Sequence, residues 1–375
     1  MVFVLRATPV SAAESPPPPQ EIRVLVTENQ NALILSARGG YEIALLPSLK
    51  VVKKGAELRN VPVAATALGI RLGREEWPAG GFRIQASEDN SLFLNKSRFR
   101  GSLDILKSGP SLYVINRLGL ESYLYGVLHH EVSSWWPMEA LKAQAIAART
   151  YGFYQARVNK NAEYDVRSST SSQVYGGSTT ERFRSKRAVD ATAGKILTTK
   201  GKAFPAYFHA TCAGTTAAAE ELWKIRVEPL SGSVSCGYCK ISPHYYWHAK
   251  VPLAEVEEKI AKYGRPLGRV LSIQIISQTP SHRVGSLRIK GVNGEATVAA
   301  KDFRVWIGGD KIRSTRFTVT LSEDSAEFKG KGWGHGVGLC QWGTLGQALV
   351  GRKAQTILQF YYPGSEITDL SEHKN

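Results

Sequence analysis

From residue 21 to about 109 the apolar positions come in short runs that alternate with polar ones and are broken by turns. Ile22-Arg23-Val24-Leu25-Val26, Ala32-Leu33-Ile34-Leu35 and Tyr41-Glu42-Ile43-Ala44-Leu45 predict strands, with Arg38-Gly39-Gly40 as a turn. Phe82-Arg83-Ile84, Leu92-Phe93-Leu94 and Leu103-Asp104-Ile105-Leu106 continue the series. The period then changes. Leu120, Leu124, Val127 and Leu128 recur at helical spacing just ahead of His129-His130-Glu131. Pro137 follows, where it fits the first turn of a second helix running from 138 to about 156. That helix carries Ala140, Ala143, Ala145, Ala147 and Ala148, small residues that let a neighbour pack close. Farther on, 188–198 reads as helix, turn and strand, and 272–276, 287–290 and 317–321 read as strands. Residues 356–362 form a short helix stopped by Pro363-Gly364. No segment repeats. The order predicts an α+β fold with a β-rich N-terminal part, central helices and a mixed, β-rich C-terminal part.

A chain of 375 residues is long for one ordinary core. The expected division is 1–21 as an export-signal remnant and Pro-rich linker, 22–110 as a β-rich domain, 111–365 as the larger functional region and 366–375 as a tail. With 43% apolar and 21% charged residues and a mean hydropathy of −0.20, the chain reads as globular. No apolar run approaches the roughly 20 residues that cross a bilayer as a helix. Val10-Ser11-Ala12-Ala13 resembles a signal-peptidase site, and Ser15-Pro16-Pro17-Pro18-Pro19 reads as a stiff exposed linker, so export to the cell envelope is expected.

Charge adds a partner class. Forty-eight Lys and Arg against 32 Asp and Glu give +16, which favours an anionic partner: nucleic acid, anionic lipid or an anionic wall polymer. The basic residues are scattered, and no zinc-finger, RRM or helix-turn-helix pattern accompanies them, so specific nucleic-acid binding is not expected. Gly332, Gly334, Gly336 and Gly338 alternate along one segment, where missing side chains let backbone approach a sugar or another strand. Among them His335, Gln341, Trp333 and Trp342 offer hydrogen bonds and a stacking plate; a tightly packed turn is the plainer reading. The four cysteines are Cys212, Cys236, Cys239 and Cys340. Cys236-Gly-Tyr-Cys239 has the gap of a zinc knuckle, and His209-Ala-Thr-Cys212 supplies a second pair. Together they fit a closed, structural Cys₃His zinc site, with His244 competing as fourth ligand. The other reading is a disulfide that leaves an odd thiol. Cys340 reads as a small packed residue.

Several of these segments together resemble one family. Glu121-Ser-Tyr-Leu-Tyr-Gly-Val127, Glu131 and Trp136-Pro-Met-Glu-Ala-Leu-Lys-Ala-Gln-Ala-Ile-Ala-Ala-Arg-Thr-Tyr151 are similar to the central signature of the stage II sporulation protein D family, which includes amidase enhancers. Ser172-Gln-Val-Tyr-Gly-Gly177, Ala206-Tyr-Phe-His-Ala-Thr-Cys-Ala-Gly214, Gly332-Trp-Gly-His-Gly-Val-Gly-Leu-Cys-Gln-Trp-Gly343 and Tyr361-Tyr-Pro-Gly364 extend the likeness. It runs collinearly over roughly 22–365.

The resemblance implies a peptidoglycan lytic transglycosylase that cuts amidase-stripped glycan strands between MurNAc and GlcNAc, leaving 1,6-anhydro-MurNAc, with no catalytic cofactor. The alternative is a non-catalytic wall-binding protein that enhances an amidase. Glu131 matches the general acid/base and Arg149 an arginine beside it; the plainer readings are a carboxylate at the N-terminus of the following helix and a structural ion pair. Gln173, Tyr175 and the Tyr245-Tyr246-Trp247 run are candidates for the cleft wall, and 332–343 for its lining. Some family members bind zinc through cysteines near the Gln-Val-Tyr motif; those places hold Arg167 and Ser172 here, so that site is absent.

Overall fold

The alternating strands of the first hundred residues bury one face each. Leu33, Leu35 and Ala37 point inward while their neighbours stay outside, and Ile22 and Val24 do the same on the strand before. The computed structural model, which describes residues 21–87, 92–169 and 172–373, arranges these strands in two sheets. The export-signal and linker segments expected before residue 21 lie outside the described residues.

The larger sheet has seven strands in the order Val166–Arg167, Glu21–Gln30, Ser111–Gly119, Ser102–Ser108, Gly81–Ala86, Tyr41–Leu46 and Lys50–Gly55, antiparallel apart from the first pair. A six-stranded sheet that includes Ala32–Ala37 and Leu58–Ala65 shares its core. The division expected at residue 110 falls in the turn of a hairpin. Strand Ser111–Gly119 pairs with Glu21–Gln30 from Glu21↔Gly119 to Gln30↔Leu112, and one core continues from Ile22 to Ile196. The sheet and the helices that follow are therefore built on the same core.

Helix α1 (Leu120–Glu131) buries Leu120, Tyr123, Leu124, Val127 and Leu128 against this core. Helix α2 (Met138–Val158) lies between two cores, with Leu141, Ala145 and Ala148 on the first and Ala143, Ile146 and Ala147 on the second. Its alanines let both layers close on it. Helix α3 (Phe183–Asp190) leads by a turn into strand Lys195–Thr199, matching the helix–turn–strand reading, and a short α4 (Glu220–Trp223) follows.

A third core is an insertion. The chain departs at Tyr245 and returns at Gly332, whose N–H donates to the Tyr245 carbonyl at 3.0 Å. The inserted unit holds two three-stranded sheets, α5 (Leu253–Lys262) and α6 (Ala300–Ile307), packed around Trp247, Phe303 and Phe328. Helices α7 (Gln341–Leu349) and α8 (Ala354–Tyr361) then complete the second core. The segment expected as a tail pairs in part with the fold: Glu366–Asp369 runs antiparallel to Lys195–Thr199. The architecture is α+β, as the element order predicts. No helix of the described residues is long and apolar enough to cross a membrane.

Candidate functional site

Glu131 is the last residue of α1, and its carboxyl sits in a cleft of about 470 Å³. That is the size range of small-ligand sites. The helix ends because Val132 turns extended, with its N–H still bonded to the Leu128 carbonyl. A carboxylate at a helix C-terminus meets the negative end of the dipole. The plainer sequence reading, a favourable N-terminal carboxylate, therefore does not hold.

Two neutral donors reach the carboxyl, both at long range. The Val174 N–H lies 3.4 Å from Oε1 and the Gln341 amide 3.3 Å from Oε2. Burial dominates, so the Glu131 carboxyl is pushed up to about 7, against the smaller lowering effect of those two hydrogen bonds. No other carboxylate lines the cleft among the described residues.

Aromatic and basic groups form the rest of the wall. Tyr207 and Trp223 pack with centroids 4.6 Å apart, and Trp333 stands against the edge of His244 at 4.5 Å. Arg304 comes from α6 of the inserted unit; its Nε donates to the Arg313 carbonyl at 3.2 Å, and no salt bridge engages it among the described residues. None of Tyr207, Trp223 or Arg304 lies in a segment that the sequence reading marked as cleft wall. Arg304 in particular follows a stretch with no motif of its own.

The residues expected at the site divide. His335 lines the cleft, with both ring nitrogens engaged: Nδ1 accepts from the Val337 N–H at 3.1 Å and Nε2 donates to the Phe208 carbonyl at 2.9 Å. Burial pushes it down to about 3, so it is a neutral support. Gln341 touches Glu131, as above. Trp342 packs edge-on to Trp136 at 5.6 Å and does not line the cleft. Tyr246 is 67% exposed and lies in a different depression, beside Trp247 and Lys331, which corrects its expected place in the wall.

Gln173 and Tyr175 are also displaced from expectation, by one residue each. The extended backbone sends them inward, where Tyr123 Oη donates to Gln173 at 2.9 Å and Tyr175 Oη donates to Asn116 at 2.8 Å. Their neighbours Ser172 and Val174 line the cleft instead. Arg149 is fully buried and forms a bidentate pair with Glu121, both bonds at 2.7 Å; its remaining donors reach the Lys195 and Val189 carbonyls. It is a structural pair and not a partner of Glu131.

His209 does not join the cysteines. It lines the cleft, donates from Nδ1 to the Val337 carbonyl at 3.1 Å, and leaves Nε2 buried without a protein partner among the described residues. Cys340, expected only to pack, stands where His209 was expected: Cys212, Cys236, Cys239 and Cys340 are all buried, with their sulfurs within 4.8 Å of one another.

The glycines of 332–338 are required by backbone geometry. All four have positive φ, +83°, +104°, +89° and +70°. A Cβ at Gly338 would also stand 2.1 Å from the Tyr207 carbonyl oxygen. The segment is the tightly packed turn of the plainer reading, and it fixes Trp333 and His335 in the wall.

Fold and cleft together define an α+β protein in which, among the described residues, one raised carboxyl faces a cleft lined in part by aromatic rings. The chain belongs to the stage II sporulation protein D family. Residues 108–199 match the family described as Stage II sporulation protein, and 237–338 match a domain of unknown function, DUF8618, which spans the whole insertion. Stage II sporulation protein D of Bacillus subtilis is 30% identical over 70% of this chain and 78% of its own length. An uncharacterised protein of Brachyspira hyodysenteriae is 33% identical over 93% of both chains. The amidase enhancer of Bacillus subtilis is 28% identical over 65% of this chain and 40% of its own length.

Proposed function

We propose that this chain is an exported, cell-wall-directed lytic transglycosylase with Glu131 as its general acid and base. A cell-wall-related role is what the family membership supports. The observation that carries the finer reading is the lone protonatable carboxyl in the cleft. A glycoside hydrolase of the usual kind needs a second carboxylate as base or nucleophile, whereas intramolecular attack does not. Glu131 gives its proton to the glycosidic oxygen as the C1–O bond breaks. The C6 hydroxyl of the same MurNAc then attacks C1 and returns its proton to Glu131. The products are 1,6-anhydro-MurNAc and a free hydroxyl on the departing GlcNAc, and no water is consumed.

Trp223 and Trp333 supply ring faces for the sugars, and the excess of +16 attracts the lactyl carboxylate of each MurNAc. Arg304 is the cation that meets such a carboxylate in the cleft. Arg304→Ala is expected to raise KM for stripped strands about tenfold, with a smaller change in kcat. Strands whose lactyl carboxylates have been converted to amides should lose that difference, as steady-state kinetics on the two substrates will show.

The direct test is digestion of amidase-stripped glycan strands with mass spectrometry of the ends. Anhydro-ended products are expected; reducing, hydrolysed ends, heavier by one water, would overturn the mechanism. The first step uses the protonated acid, so kcat/KM is expected to be level below pH 7 and to fall about tenfold per pH unit above it. A flat profile from pH 5 to 9 would remove Glu131 from the acid role. The likeness to a relative named amidase enhancer supports a second reading, wall binding without cleavage. Sedimentation with wall material that Glu131→Gln leaves unchanged, together with no cleavage by the unmodified chain, would select it.

A further inference from the structure

We propose that Cys212, Cys236, Cys239 and Cys340 form a closed tetrathiolate zinc centre that ties three segments together behind the cleft. Four buried sulfurs lie within 4.8 Å of one another, and the Cys212 and Cys239 sulfurs are 3.5 Å apart. Zinc–sulfur bonds of about 2.3 Å in a tetrahedron place sulfurs about 3.8 Å apart. A disulfide would bring one pair to about 2.05 Å. The spacing suits the metal.

The surroundings supply what a metal-bound thiolate set needs. The N–H groups of Cys212 and Gly343 point at the Cys340 sulfur from 3.2 and 3.4 Å, the second from the first turn of α7. Tyr361 Oη lies 3.2 Å from the Cys236 sulfur. Such donors hold ligand sulfurs in orientation and temper their charge. Gly343 makes the approach feasible, since a Cβ there would stand 2.8 Å from the Cys236 sulfur.

Arg283 is an independent indication. Its guanidinium is buried, 2% exposed, and donates to the Cys212 carbonyl at 3.3 Å and the Thr215 carbonyl at 3.2 Å. Its Nε has no partner and no salt bridge engages it among the described residues. A buried cation calls for a counter-charge, and Glu221, which lies near Arg283, forms no ion pair with it among the described residues. Four neutral thiols offer none, whereas zinc with four thiolates carries a net charge of −2.

The consequence reaches the candidate acid. Cys340 precedes Gln341, the amide donor to Glu131, and Cys212 closes the loop that carries His209 and Ala210 in the cleft wall. Cys236 and Cys239 bring in the segment just before the insertion. The zinc would act by position, with no open coordination site for water.

The full chain, purified without chelator, is expected to contain about one zinc per molecule by elemental mass spectrometry. Cobalt substitution should give the intense thiolate-to-cobalt charge-transfer bands and visible absorption of a tetrahedral sulfur site. His209→Gln should keep both the metal and that spectrum, whereas Cys340→Ser should lower metal occupancy or, if it misfolds, leave the His209→Gln spectrum to decide. Metal-free protein with four titratable thiols, or a mass short by two hydrogens per disulfide, would overturn the proposal. So would loss of the metal in His209→Gln with retention in Cys340→Ser.

Discussion

Glu131→Gln is expected to abolish formation of anhydro-ended products while making the protein more stable above neutral pH. The two effects share one cause. The carboxyl is pushed up to about 7 by burial, so it binds a proton in the folded chain that it has already lost in the unfolded chain between about pH 4.5 and 7. Stability therefore falls as pH rises through that window and stays lower above it. An amide in the same place carries no charge to bury, accepts from the Val174 N–H through its oxygen, bonds Gln341 once that side chain turns its own amide oxygen toward it, and removes that cost. It cannot give or take the proton, so turnover should drop by about 10²–10⁴-fold. Product yield from stripped strands and thermal midpoints at pH 5 and pH 8 measure both halves. A variant that keeps normal turnover, or one less stable than the parent at pH 8, would sink the assignment.

Arg149 should behave in the opposite way. Glu121→Ala would leave its fully buried guanidinium without the carboxylate that now holds it through two 2.7 Å bonds. Stability is expected to fall by about 3 kcal/mol or more, read from denaturant midpoints, because an uncompensated buried charge remains. Arg149→Lys with Glu121 in place should also be destabilising, since an ammonium cannot match the bidentate contact. Arg149→Met combined with Glu121→Leu should recover much of the loss. Activity per folded molecule should change far less than for Glu131→Gln, and equal loss in both would return Arg149 to the chemistry.

The sequence made the local elements legible wherever one face was buried. The strands around 22–26, 32–35, 41–45, 82–84, 92–94 and 103–106, helices α1 and α2 and the 317–321 strand followed from periodicity, because burial of one face imposes that period, whereas Lys50–Gly55 and Leu58–Ala65, whose residues are mostly exposed or half-buried, did not. The helices of the insertion were missed. Their apolar stripe is short, with Leu253, Val256 and Ile260 on α5, and no side chain caps the N-terminus of either, although Gly308 closes α6. Helix α7 begins straight after the glycine-rich turn, whose positive-φ residues hide the change of period.

For the site, motif matching found Glu131, the candidate acid, and Gln341 beside it. It could not assign faces. Gln173 and Tyr175 sit on the core side of an extended run, and reading its alternation would have exposed Ser172 and Val174. Arg149 carried the right residue type and spacing for a partner of Glu131, but α2 aims it at the other end of α1. Cys340 looked like packing because its companions are more than 100 positions away in the chain, and only folding brings them together.

The insertion returns to within one hydrogen bond of where it left, from Tyr245 to Gly332. In the proposed function, bond breaking and recognition thus reside on separate stretches of polypeptide: the carboxyl of Glu131 on one, the guanidinium of Arg304 on the other. Such an arrangement lets descendants exchange or trim the appended lobe, and with it one wall of the cleft, while the stretch that carries Glu131 is inherited intact.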